Sequence, residues 1–80
     1  MTKQELINWA KSRGWVEDKY GHLQKKIDSN TMRLKLSNTA VRYEKQVTMP
    51  DGKHEWVRIY SNYFKYLSIN DKNQLVGLKR

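Results

Sequence analysis

The chain has 80 residues, 38% of them hydrophobic, and its 16 Lys and Arg outnumber 8 Asp and Glu to give a formal net charge of +8. This length predicts one domain over residues 1–80 and excludes a second domain, a deep cofactor cleft and a large parallel α/β sheet. Because the chain has no cysteine, it has no disulfide framework and no thiolate metal ligand. We expect neither a disulfide-rich secreted domain nor a structural zinc site, and no metal-binding residue is assigned.

The first predicted element is a helix. Thr2 and Glu5 have the spacing of a capping box, in which each side chain accepts a hydrogen bond from the amide of the other residue. Gly14 is a natural stop, because glycine readily adopts the left-handed conformation that ends many helices. Apolar residues recur on one face between these two signals. The sequence therefore predicts a helix over about residues 3–13.

The rest of the chain alternates between apolar and polar residues, which is typical of strands with one buried face. Turn-forming residues divide it into strands expected within residues 15–78, at about 15–17, 22–27, 32–36, 41–47, 54–61 and 74–78, and a further stretch near 63–69 precedes the last of them. The pattern predicts an α+β fold, with the N-terminal helix packed on an antiparallel meander of about five to six strands. The meander is expected either to stay open or to curl into a small barrel.

The positive charge is concentrated in the strand region. Residues 1–18 hold three cations and three carboxylates, whereas residues 19–80 hold thirteen cations and five carboxylates. A basic field over most of a small domain attracts polyanions, such as nucleic acid or an acidic protein surface. A net charge of this size is also ordinary for solubility alone, so the placement of the cations on the sheet becomes the deciding feature.

The turn near residues 37–39 predicts the register of the strands on either side of it. In this register the apolar residues of both strands share the core face. The opposite face pairs Lys35 with Arg42, and Arg33 with Glu44, the second being a favourable cross-strand ion pair. We therefore expect a cationic surface on the face of the sheet that points away from the core.

The register of the next hairpin depends on the turn at residues 50–52, Pro-Asp-Gly. A three-residue loop closed by a left-handed glycine places Val57 and Ile59 in the core, and Trp56 and Tyr60 on the cationic face. A two-residue Asp-Gly turn would reverse this and bury both aromatic residues. Because a one-residue slip turns every side chain to the other face, the exposure of Trp56 and Tyr60 depends on this loop.

The three-residue loop brings two aromatic residues and four cations together on one sheet face. Proteins that bind RNA or single-stranded DNA use such faces, where rings stack on bases and cations hold phosphates. We interpret the chain as a small non-enzymatic nucleic-acid-binding module, with RNA or single-stranded DNA favoured because no helix is rich in base-reading residues. The candidate nucleic-acid-binding residues are Arg33, Lys35, Arg42, Trp56, Arg58 and Tyr60.

Trp, Tyr and Arg also dominate the binding energy of protein interfaces. The alternative function is therefore a small regulator or inhibitor that docks its basic, aromatic face on an acidic protein. Strand edges can pair between copies, so both a monomer and an edge-paired homodimer are considered. The sequence has no apolar run long enough to span a membrane. We expect no signal peptide, and we expect a cytoplasmic protein that uses no cofactor and binds no membrane.

The two histidines suggest a further alternative, a metal-free ribonuclease. His22 and His54 could act as general acid and base, because histidine titrates near neutral pH. A nearby carboxylate would orient each ring, with the candidates Glu17, Asp18 and Glu55. No other catalytic element lies at a diagnostic spacing, and no catalytic residue is assigned.

The beginning of the chain is similar to that of HicA-type toxins, small basic RNA-cleaving proteins with a double-stranded-RNA-binding-like fold. The similar features are Glu5-Leu6-Ile7, Gly14-Trp15 and the Gly21-His22 step, within residues 1–27. The serine that the family has between that glycine and histidine is missing. The C-terminal half also predicts strands where the family has a closing helix, so no residue is assigned a role from this resemblance.

Overall fold

The computed structural model describes residues 1–78 and confirms the α+β fold. Five antiparallel strands form one sheet in the order in which they occur along the chain, and a separate two-stranded hairpin follows. The sheet is open, with β1 and β5 at its edges, and does not close into a barrel. Within residues 1–78 no helix combines the length and apolar character needed to cross a membrane. The elements are α1 (Lys3–Ser12), β1 (Val16–Glu17), β2 (Leu23–Ile27), β3 (Asn30–Leu36), β4 (Ala40–Thr48), β5 (His54–Tyr63), a 3₁₀ turn (Phe64–Tyr66), β6 (Ser68–Ile69) and β7 (Leu75–Val76).

Both predicted signals bound α1. The Glu5 amide donates to Thr2 Oγ1 at 3.1 Å and the Thr2 amide donates to Glu5 Oε1 at 2.9 Å, which completes the capping box. At the other end Gly14 has a φ of 91°, and the amides of Gly14 and Trp15 donate to carbonyls of the last helical turn, as in a Schellman motif. The helix ends at Ser12, one residue before the predicted boundary.

The β4–β5 hairpin turns through the three residues 50–52, which is the longer of the two loops that the sequence allows. The Met49 amide donates to the Lys53 carbonyl at 2.7 Å, and Gly52 has a φ of 85°. The strands leave this loop in the register that the three-residue loop predicts, with Trp56 opposite Gln46. Trp56 therefore lies on the face of the sheet that points away from the core.

A β-bulge interrupts the β4–β5 register between Tyr43 and Glu44. Glu44 lies opposite Arg58 but Tyr43 lies opposite Tyr60, so Ile59 is the extra residue of β5. A bulge shifts the alternation of side chains by one position, and Tyr60 therefore turns to the core face, where it is half-buried against the core. The placement of Tyr60 on the cationic face was wrong for this reason.

The helix covers only part of the sheet. Its ten residues extend for about 15 Å, whereas the nine residues of β4 and the ten of β5 extend for about 30 Å. Val57 and Ile59, expected in the core, are instead 48% and 53% exposed, because no element within residues 1–78 reaches that part of the hairpin. The buried core consists of Leu6, Ala10, Trp15, Leu23, Met32, Leu34, Leu36, Val41, Phe64, Leu67 and Leu78.

Candidate functional site

The candidate site is the outer face of the sheet, the face opposite to α1. Lys35 lies directly opposite Arg42, and Arg33 lies opposite Glu44, as the first hairpin predicts. Arg58 of β5 lies on the other side of Glu44. The structure thus brings all four predicted cations together on three adjacent strands, with the Glu44 carboxylate between Arg33 and Arg58.

Arg33 and Trp56 have a structural role within this face. Arg33 Nε donates a hydrogen bond to Oε1 of Glu44 at 2.8 Å, and Arg33 Nη2 lies 2.6 Å from the same oxygen in a salt bridge. The Glu44 side chain is only 5% exposed. The guanidinium carbon of Arg33 lies 4.2 Å from the ring centroid of Trp56, close enough for a cation–π interaction. The charge of Arg33 is therefore neutralised, and Arg33 covers part of the Trp56 ring that was predicted to stack on a base.

The other three cations are available to a ligand. Lys35, Arg42 and Arg58 are all exposed, and none of them forms a salt bridge with another residue in the described part of the chain, residues 1–78. Like charges directly opposite each other destabilise a sheet, and the Lys35–Arg42 pair has this arrangement. An anion bound between the two side chains would relieve that repulsion.

These cations line an open cleft of about 450 Å³, which we call the basic cleft. Ser61 lies opposite Arg42 and Tyr63 lies opposite Ala40, so both side chains fall on the outer face beyond the bulge. Tyr63 is 54% exposed. The complete lining is Lys35, Leu36, Ser37, Ala40, Arg42, Arg58, Ser61, Asn62 and Tyr63.

Sequence reasoning missed Tyr63 because it carried the alternation unchanged through Ile59. The one usable signal is that Ile59 and Tyr60 are consecutive apolar residues, which a regular half-buried strand does not favour. If Tyr60 is assigned to the core, Ser61 and Tyr63 follow on the outer face. The structure therefore has Tyr63 beside the cations where Tyr60 was predicted.

The two histidines do not meet. His22 Nδ1 accepts a hydrogen bond from the Leu36 amide at 3.0 Å, and His54 Nδ1 lies 3.2 Å from Thr48 Oγ1. Leu36 pairs with Val41, and Thr48 follows seven residues later on β4, about 23 Å along the strand. The rings therefore cannot serve as an acid–base pair. Residues 1–78 also contain no group of three His, Asp or Glu side chains that could hold a metal ion.

Comparison with known protein families, curated proteins and solved structures finds no match to this chain. The basic cleft is therefore the feature from which a function can be inferred.

Proposed function

We propose that the protein is a small non-enzymatic nucleic-acid-binding module that holds phosphates in the basic cleft. The observation that supports this most is the cluster of Lys35, Arg42 and Arg58, three exposed cations without a carboxylate partner in residues 1–78. Arg presents a planar fork of donors that matches two phosphate oxygens, and Lys adds a compact charge. The Ser61 hydroxyl in the same cleft is a further donor for a phosphate oxygen.

The shape of the surface favours RNA or single-stranded DNA. α1 is the element that could enter a major groove, but it carries only two cations, Lys3 and Lys11, and Lys11 is paired with Glu17 at 2.9 Å. Sequence readout by a helix needs several side chains that reach base edges. The basic cleft lies instead on an open sheet face, the type of surface on which single strands are bound.

The test is the fluorescence anisotropy of labelled single-stranded RNA, single-stranded DNA and duplex DNA, each at about 50 and 200 mM salt. We expect tight binding that weakens steeply with salt, with the single strands preferred. Replacing Lys35, Arg42 or Arg58 by alanine should each reduce the logarithmic salt slope for a single strand by about 0.7. Lys72→Ala is the matched control, because Lys72 is an exposed cation in the turn between β6 and β7.

Flat or only millimolar binding to all three polymers would overturn the proposal. Unchanged salt slopes in the three cleft variants would overturn it as well, since the cleft would not be the phosphate site. Either result would favour the alternative, an acidic protein surface as the ligand of this face, because Trp, Tyr and Arg are equally suited to protein interfaces.

A further inference from the structure

A second group of aromatic and cationic side chains adjoins the basic cleft. The rings of Tyr63 and Tyr66 meet edge to face, with centroids 6.1 Å apart and planes at 69°. They are 54% and 60% exposed. The ammonium of Lys65 lies 5.9 Å from the Tyr63 centroid and 5.1 Å from the Tyr66 centroid. We call Tyr63, Lys65 and Tyr66 the tyrosine pair and its lysine.

The backbone presents these side chains rigidly. Phe64 lies between the two tyrosines in the sequence and Leu67 follows the second. They are 5% and 3% exposed and belong to the core. The Phe64 amide donates to the Thr39 carbonyl at 2.9 Å, and the Leu67 amide donates to the Phe64 carbonyl at 3.0 Å. The 3₁₀ turn is therefore anchored from beneath, and its exposed rings need little ordering when they bind a ligand.

Tyr63 connects this group to the basic cleft. Its side chain lines the cleft on one side, and on the other it lines a second depression of about 520 Å³ that also contains Lys3 and Lys65. Tyr63 lies opposite Ala40, two residues from Arg42 on β4, which is about 7 Å along the strand. A flexible chain of phosphates in the cleft can therefore place its next bases against the tyrosines.

We propose that the tyrosine pair and its lysine form a base-stacking subsite, and that the ligand of the basic cleft is consequently a single-stranded nucleic acid. This inference rests on the proposed function. A ring can stack on a base only where the face of that base is free, and in a duplex both faces are covered by neighbouring bases. Lys65 holds a phosphate beside the stacked bases.

The test compares two labelled single strands of about 12 nucleotides, within the usual site size. One carries bases throughout, and the other is an abasic sugar–phosphate strand of the same length. We expect Tyr63→Ala and Tyr66→Ala each to weaken binding of the base-bearing strand by about 5- to 150-fold. Binding of the abasic strand and its salt slope should not change, because the phosphate contacts remain.

Two control variants accompany this test. Tyr66→Phe keeps the ring and should bind as the wild type does. Tyr20→Ala removes a tyrosine that is 71% exposed, with the ammonium of Lys19 5.0 Å from its centroid, but Tyr20 lines neither the basic cleft nor the second depression. This substitution should have no effect on binding, although Tyr20 and Lys19 form the same kind of pair as Tyr66 and Lys65.

An equal loss on both strands, or no loss on either, would overturn the subsite. If the wild type binds both strands with a salt slope that depends on Lys35, Arg42 and Arg58, the proposed function survives that failure. If the wild type binds neither strand, the proposed function fails first. The two failures are therefore distinguishable.

Discussion

Arg33 and Glu44 form a buried ion pair on the outer face of the sheet, where two guanidinium nitrogens share one carboxylate oxygen. The Arg33 and Glu44 side chains are 14% and 5% exposed, and the guanidinium carbon lies 4.2 Å from the centroid of the Trp56 ring. Removing one partner of an ion pair as buried as this lowers stability strongly, because the partner that remains is an unpaired buried charge. It divides the four predicted cations into one structural arginine and three that face solvent.

Removing one partner of this pair should destabilise the protein strongly. We expect Glu44→Gln to lower the free energy of unfolding by about 3–5 kcal/mol. The double variant Arg33→Met with Glu44→Gln should recover much of that loss, because an apolar side chain can replace a buried charge under Trp56. Urea unfolding of the wild type, the two single variants Glu44→Gln and Arg33→Met, and the double variant gives the coupling energy in a double-mutant cycle. Purely additive losses would contradict a buried pair.

Trp56→Ala should reduce stability more than it reduces binding. The ring is half-buried and covers the Arg33 guanidinium, so we expect a loss of roughly 1–3 kcal/mol in the free energy of unfolding. The salt slope of single-strand binding should stay at its wild-type value, since Lys35, Arg42 and Arg58 remain. Urea unfolding and anisotropy on the same samples give both quantities. A variant that is as stable as the wild type but loses binding would show that Trp56 stacks on a base, as the sequence predicts.

Asp18 should make stability depend on pH in the acid range. Burial tends to raise the pKa of Asp18, but hydrogen bonds from the Gln24 side chain and from the amides of His22 and Tyr20 outweigh it and lower the pKa below its ordinary value of 3.8. A carboxylate with a lowered folded pKa stabilises the protein above its unfolded pKa and loses that contribution as the pH falls through the folded pKa.

We therefore expect Asp18→Asn to be less stable than the wild type at neutral pH, with the difference shrinking below about pH 4. Urea unfolding between about pH 2 and pH 7 measures it. Asp71→Asn is the control, because the Asp71 side chain makes no hydrogen bond or salt bridge within residues 1–78. A difference between wild type and Asp18→Asn that stays constant over this range would rule out titration of Asp18 as its cause.

Val41 and Val57 allow a matched test of where the core ends. Both lie on the core face of the sheet, but Val41 is 1% exposed and Val57 is 48% exposed. We expect Val57→Thr to change the free energy of unfolding by no more than about 0.5 kcal/mol, and Val41→Thr to cost about 1–3 kcal/mol because it buries a hydroxyl. Equal costs in urea unfolding would show that the outer half of the β4–β5 hairpin is covered in solution.

The parts of the fold that local signals determine could be predicted from the sequence. The capping box at Thr2 and Glu5 and the stop at Gly14 each depend on a few neighbouring residues. The Pro-Asp-Gly turn at residues 50–52 predicts a hairpin, but its sequence allows both a two-residue and a three-residue loop, and the structure has the three-residue loop. The pairing of Lys35 with Arg42 follows from one short turn. Such signals are strong because the backbone conformation of each turn admits few residue types.

The parts that depend on tertiary geometry could not be predicted in the same way. The bulge at Ile59 turns Tyr60 to the core and Tyr63 to the basic cleft. Because the residues on both sides of the bulge are apolar, the sequence does not show where the alternation of inward and outward side chains shifts by one residue. Val57 has the correct parity for burial but lies beyond the reach of α1. A side chain on the core face is buried only where the helix packs over it. The length and position of the helix decide this, and the alternation within a strand does not reveal them.

The most direct measurement of the central claim is a titration of the ¹⁵N-labelled protein with an unlabelled single-stranded oligonucleotide, followed by backbone amide shifts. We expect the largest chemical-shift changes on β3, β4 and β5 around Lys35, Arg42 and Arg58, continuing to Tyr63 and Tyr66. The chemical shifts of the amides of α1 and of the β6–β7 hairpin should not change. If the largest changes fell on α1 or on β6–β7 and the amides around the basic cleft did not shift, single-strand binding in the basic cleft would be ruled out.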